Sequence, residues 1–346
     1  MVTFRFYLVS VVAFFLALAV GVVVGSVLDG RIADSLQDRL DRVETSLDET
    51  VAAMDEKNRE IDELDAYVEA SAPYAVQDEL LDTTSLVVVE SGVDAGPVED
   101  LVTRLRQAGS RVDGIVWLET DWALTDDERL EQLATIAGAQ GSTPEAVRRS
   151  FWAALLDATD DAADDAAGTG DETTTTVEGT PGAGDATTTT VATTTTEEPP
   201  EPIELFSTRL LAEAEDAGLL RLQQIDGGED IPGGELVVSV VTGTASSVDR
   251  PGEVAIEVAE EFAAAGRATT LSEVFVTPPA DPGDRGELLS SLLGDGPLTF
   301  STVDDLDRVS GRVATVLALS GARDEVFGRF GYGSGADAVL PPWQAP

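Results

Sequence analysis

Residues 6–28, FYLVSVVAFFLALAVGVVVGSVL, contain no charged side chain. At about 1.5 Å per residue, a helix over this stretch spans roughly 35 Å, enough for the ~30 Å hydrocarbon core of a bilayer. A helix of that length buried in a soluble domain would normally carry a polar stripe, and none is present. The segment is therefore expected to be an uncleaved transmembrane helix, following a short tail at residues 1–5. A cleavable signal peptide is the alternative, with Arg5 as its basic residue and Gly21, Gly25 and Ser26 as small residues near a cleavage point. Ala13, Ala17, Gly21 and Gly25 recur every four residues, and Gly21 to Gly25 is a GxxxG motif. Such a face lets two helices approach closely in lipid, so these four residues are the expected packing face between copies.

A heptad pattern follows directly. Leu36, Leu40, Val43, Leu47, Thr50, Met54, Lys57, Ile61, Leu64 and Val68 alternate in spacings of four and three. This is the a/d seam of a coiled coil. With Leu40, Leu47, Met54, Ile61 and Val68 at a, the polar residues Thr50 and Lys57 fall at d. Arg39 and Glu44 would attract across parallel chains, whereas Glu60 and Asp65 would repel, which leaves the oligomer number open. The alternative is one amphipathic helix folded back on its own domain. The stalk is assigned to residues 29–72, with Pro73 expected to end it.

Beyond Pro73 the pattern alternates between short apolar β-branched runs and helical segments. Strands are expected at 85–90, 112–118, 221–225, 235–241, 270–276 and 298–302. Helices are expected at 97–108, 126–137, from Pro144, 203–217, 252–265, 285–293 and 304–320. Thr125 and Glu128 form an expected capping box. The alternation implies an α/β domain, a Rossmann-like parallel sheet covered on both faces. It is divided into 80–156 and 203–325, with a glycine-rich tail at 326–346. Residues 157–202 hold three TTTT runs and many acids but little that is large and apolar. They are expected to be a disordered insertion of the kind found in exported stalks.

Composition narrows the chemistry. The 346 residues include 65 acids against 21 bases, with no cysteine and no histidine. Disulfides, cysteine nucleophiles, Ser-His-Asp triads and Cys/His zinc sites are excluded. A net charge of −44 disfavours nucleic acid as a partner. No cofactor and no catalytic constellation is expected, and the chain is read as non-enzymatic. The acids at 160, 161, 164 and 165 lack the spacing of a calcium loop.

The strings VSVVAFFLALAVGVVVGS near the N-terminus, GRVATVLALSG at 311–321 and YGSGADAVLP at 332–341 resemble the mycobacterial copper transport protein B (MctB) family of actinobacterial envelope proteins. The resemblance covers most of the chain apart from the Thr-rich segment. It implies a single-pass envelope protein with a coiled-coil stalk and an α/β domain, acting in copper homeostasis. The copper role rests on the resemblance alone. Cu(I) prefers thiolate and thioether ligands and Cu(II) prefers imidazole. Met54 at a seam position reads as core packing, so no metal site is assigned.

One loop is a candidate for small ligands. Thr242, Thr244, Ser246 and Ser247 follow the strongest strand, where open parallel sheets place ligands, though GxGxxG and GxxxxGK[ST] are both absent. The basic residues flanking the membrane segment favour the C-terminal side inside. The short N-terminal tail, the Thr-rich tract and the resemblance favour it outside, and the domain is read as extracytoplasmic. The expected function is that of an oligomeric accessory or assembly component in copper homeostasis. A scaffold recruiting an unknown envelope protein, and a small-ligand sensor or enzyme, are the alternatives.

Overall fold

The run ELVVSVVTG, in which valine alone fills four positions, forms the central strand of a seven-stranded sheet. The computed structural model describes residues 3–139, 143–168, 208–225, 234–275, 285–294, 296–333 and 335–342. Their side chains are described except those of 3–5, 24–42, 62 and 160–168. The chain divides into two units, Met1–Tyr67 and Val68–Pro346.

The first unit is helical throughout its described residues, as part of α1, which runs Thr3–Val76. Phe6–Val23 within it is long and apolar enough to cross a membrane and is wholly unburied. Pro73 does not end this helix, contrary to expectation; it lies inside it, with one further turn to Val76. A proline so close to a C-terminus removes few helical hydrogen bonds, and Ala72 and Val76 gain burial in the core of the second unit.

In the second unit the strands are β1 Thr83–Glu90, β2 Gly114–Leu118, β3 Leu220–Gln224, β4 Glu235–Gly243, β5 Ala268–Val274, β6 Ser301–Val303 and β7 Arg329–Phe330. Their order is β3-β2-β1-β4-β5-β6-β7. All neighbouring pairs are parallel except β2 with β3, which is antiparallel. The expected wholly parallel sheet is corrected at that edge. Of LRLQQ only Leu220 is buried, and a half-exposed edge strand tolerates either direction. β7, a two-residue strand too short to show a period, comes from the segment read as a glycine-rich tail.

The helices are α2 Ala95–Gln107, α3 Asp127–Ile136, α4 Pro144–Gly168, α5 Arg209–Asp216, α6 Glu253–Ala264, α7 Glu287–Leu293 and α8 Val309–Arg323. Side chains of β1 alternate between two cores. Leu86 and Val88 face the layer of α3 to α7, whereas Val87 and Val89 face the end of α1, α2 and α8. Both faces are covered, which is why the strands read as continuous apolar runs. At α3 the cap is Asp126, whose carboxylate accepts from Glu128 N at 2.7 Å, not the expected Thr125. α4 carries on to Gly168, into the stretch expected to lack order; its alanines favour helix. The rest of the Thr-rich segment lies outside the described residues. α8 starts at Val309, several residues later than expected, because 304–308 form a loop at the carboxyl edge of the sheet.

Candidate functional site

Parallel strands place their carboxyl ends along one edge, and that edge carries a row of polar side chains on the α6–α7 face. Glu90 ends β1. Thr242 lies near the end of β4, in register with Glu273 of β5. Asp304 follows β6, whose Val303 pairs with Ser272. Glu90, Thr242 and Glu273 are fully buried, and Asp304 is 7% exposed.

Glu90 fills the position at the reversal of strand order, between β1 and β4, where sheets of this kind bind ligands. Its carboxylate accepts from Thr242 Oγ1 at 2.6 Å, from Gly252 N at 3.1 Å and from Ala255 N at 3.2 Å. The last two are the orphan amides at the start of α6, which attract anions. Here the chain supplies its own anion. Burial pushes the Glu90 carboxyl above its ordinary range, while the bonds from Thr242, Ser246 and the α6 amides pull it back.

The expected ligand loop is occupied by internal bonds. Thr242 is bonded to Glu90. Ser247 N donates to Ser91 O at 2.6 Å, and its hydroxyl donates to the same oxygen at 2.9 Å. Ser246 Oγ accepts from Val248 N at 3.2 Å, and Thr244 is exposed. A side chain on Gly92 would meet Ala245 O at 2.6 Å, so the turn after β1 packs directly on this loop.

A second cluster lies at the ends of β5 and β6. Glu273 Oε2 accepts from Leu289 N of α7 at 3.4 Å, and Glu273 Oε1 has no partner among the described residues. Asp305 is also fully buried. Its Oδ2 accepts from Ser310 Oγ at 2.8 Å, and its Oδ1 has no partner among the described residues. Arg285 holds Asp307 with a two-pronged pair at 2.5 and 3.0 Å. Burial pushes Glu273 up to about 7, with Asp304 and Asp307 adding to the rise. Burial pushes Asp305 up to about 6, again aided by Asp304 and Asp307.

The C-terminal segment closes over this cluster. Tyr332 N and Gly333 N both donate to the Asp304 carboxylate at 2.8 Å. A Cβ on Gly331 would lie 1.9 Å from Asp304 Oδ1, so the close approach requires glycine. A Cβ on Gly311 of α8 would likewise lie 2.0 Å from Asp305 O, so this approach too leaves no room for a side chain. Arg312, next to it, donates to the carbonyls of Leu306 and Asp307. Thus both C-terminal strings that carry the family resemblance build the 304–307 loop.

Chemically the row can hold protons and close the sheet edge. Among the described residues, no group of three or more acids is arranged to hold a metal ion. The cavity beside Asp304, lined by Leu289, Thr302 and Phe330, has about 20 Å³, room for roughly one water. A cleft of about 240 Å³ lies between α4 and α6, but Arg148 and Arg149 within it are paired with Glu257 and Glu261.

Sequence reasoning missed Glu273, Asp304, Asp305 and Asp307, since 65 acids give no basis for selecting a pair. The available signal was a carboxylate inside a run expected to be buried on both faces: TLSEVFV for Glu273 and SLVVVE for Glu90. The predicted membrane face is exposed at Ala13, Ala17 and Gly21, while Gly25 lies outside the described side chains. Along the predicted seam, Val43, Leu47, Met54, Ile61 and Leu64 are exposed. Val68 is half-buried, and Leu36 and Leu40 lie outside the described side chains.

No curated protein matches the chain. A family model described as copper transport outer membrane protein, MctB, matches residues 1–341. That span takes in the apolar helix, the sheet and the segment closing over Asp304, and the chain therefore belongs to the MctB family of copper transport outer membrane proteins.

Proposed function

We propose that this protein is a membrane-anchored, oligomeric accessory or assembly component in envelope copper transport, and not itself a copper chelator. The observation that carries this reading is the single helix α1, in which the unburied apolar stretch Phe6–Val23 leads into an exposed apolar seam. Such a helix suits a single-pass anchor followed by a coiled-coil stalk on residues 29–72, with the α/β domain outside the cytoplasm. The small face of Ala13, Ala17, Gly21 and Gly25 adds to self-association. The absence of cysteine and histidine supports a role without copper capture.

The strand order, with its reversal between β1 and β4, supports a Rossmann-like reading of the sheet. Occupation of that crevice by Glu90 favours a structural domain over a nucleotide-binding enzyme. Loss of the protein is expected to change copper sensitivity and cell-associated copper, with restoration by the full chain. Unchanged copper in the deletion strain overturns the reading. Protease added to intact cells should cut the α/β domain; protection until lysis would reverse the topology.

A scaffold recruiting another envelope protein is the second reading, supported by the same exposed seam and stalk length. Crosslinking in membranes that yields only contacts between copies of this chain would set it aside.

A further inference from the structure

Lys57 is the only lysine in the chain, and it stands in the seam of α1 between Met54 and Ile61. Its ammonium lies 2.6 Å from the carboxylate of Glu60 on the same helix. Thr50, the other polar seam residue, donates its hydroxyl to Ser46 O of its own helix at 2.6 Å. Both polar seam residues are thus satisfied before any partner arrives. Glu60, which by spacing alone would repel Asp65 of a neighbouring helix, has its charge balanced within its own helix. Met54 and Ile61 on either side are 60% and 54% exposed.

We propose that this seam pairs with a second copy of the chain as a parallel, in-register, two-stranded coiled coil, and that the Lys57–Glu60 layer limits it to two strands. The proposal rests on the anchored-oligomer reading above. The occupant follows from the anchor: two copies leaving one membrane through the same apolar segment present identical seams, pointing the same way and at the same height. The strand number follows from solvation. In a two-stranded coil a d-position lysine packs its stem along the seam and reaches sideways to water and to Glu60. In a three- or four-stranded core the same layer would enclose three or four ammonium groups, whose desolvation is unfavourable.

The cysteine-free chain makes the test direct. Full-length protein in liposomes would carry Leu47→Cys in the seam or Asp55→Cys on the outer face. Disulfide formation between copies needs Cα atoms within about 7 Å, so Leu47→Cys should crosslink at least ~tenfold faster than Asp55→Cys. Native mass measurement of the solubilised wild-type chain should give two copies, and Lys57→Leu should give three or more. A wild-type trimer or tetramer, or a Lys57→Leu variant that stays at two copies, overturns the layer. Two copies with no preference for the Leu47 position overturn the seam pairing but leave an anchored oligomer. A single copy throughout overturns both.

Discussion

Thr242 donates its hydroxyl to the Glu90 carboxylate across the β1–β4 boundary, at 2.6 Å and fully out of solvent. The bond ties together the two strands at which strand order reverses, and it aims the carboxylate at the amides of Gly252 and Ala255. An anion site at a helix N-terminus is thereby filled by the fold itself.

Replacing Glu90 by leucine orphans the Thr242 hydroxyl and two α6 amides. Buried unsatisfied groups cost about 1–3 kcal/mol each, so a loss of about 3 kcal/mol is expected, with Glu90→Gln losing about 1 because an acceptor remains. Denaturant midpoints followed by tryptophan fluorescence read the difference. A leucine variant as stable as wild type would mean that Glu90 does not hold this edge.

Stability should fall as pH rises from acid toward neutrality. Glu273 moves from 4.5 to about 7 and Asp305 from 3.8 to about 6, so the folded state binds these protons more tightly than the unfolded state. Their contribution is complete below about pH 4 and is lost as pH passes through 6 and 7. In a Glu273→Gln, Asp305→Asn double variant this part of the slope should vanish. Midpoints at pH 5 and pH 8 that differ equally in both proteins would exclude these two groups as its source.

Docking of the C-terminal segment depends on the approach of Gly331 to Asp304. Gly331→Ala places a methyl group against the carboxylate at a φ of +130°, which side chains rarely adopt. Release of the segment should speed tryptic cleavage after Arg329 by roughly tenfold, as local opening becomes easier. Asp304→Ala should do the same. Cleavage unchanged in both, read by mass spectrometry, would mean the segment is held elsewhere.

Inorganic phosphate tests the occupied crevice. With Glu90 in place, ~10 mM phosphate should move the thermal midpoint by less than ~1 °C, since a ligand stabilises only by binding the folded state. A shift of several degrees would support the small-ligand reading of Thr242 and its loop.

The periodicities had physical causes that sequence alone exposes. An uncharged stretch of membrane length, a seven-residue repeat and apolar runs separated by helical patterns require no distant partner to be recognised. They identified α1 and six of the seven strands among the described residues, with boundaries displaced by a few residues. Three features departed from expectation because packing overrode local preference. Pro73 remained helical where Ala72 and Val76 became buried. β3 ran antiparallel on an edge where only Leu220 faces the core. Arg329 and Phe330 became a strand because β6 offered a free edge.

The acidic edge was decided only by tertiary structure. Glu90, Glu273 and Asp304 are far apart along the chain; the apolar runs around Glu90 and Glu273 hint at burial, but no local signal joins the three or singles out Asp304. Strand order and parallel register bring them into one row, and helix packing strips their solvent. Burial and the mutual repulsion of nearby carboxylates then raise Glu273 and Asp305 toward neutral pH. The sequence by itself determined the apolar span and most of the helices and strands, since those depend on neighbours within a few residues. Which carboxylates became buried proton-binding groups depended on contacts between segments, and only the folded sheet makes those.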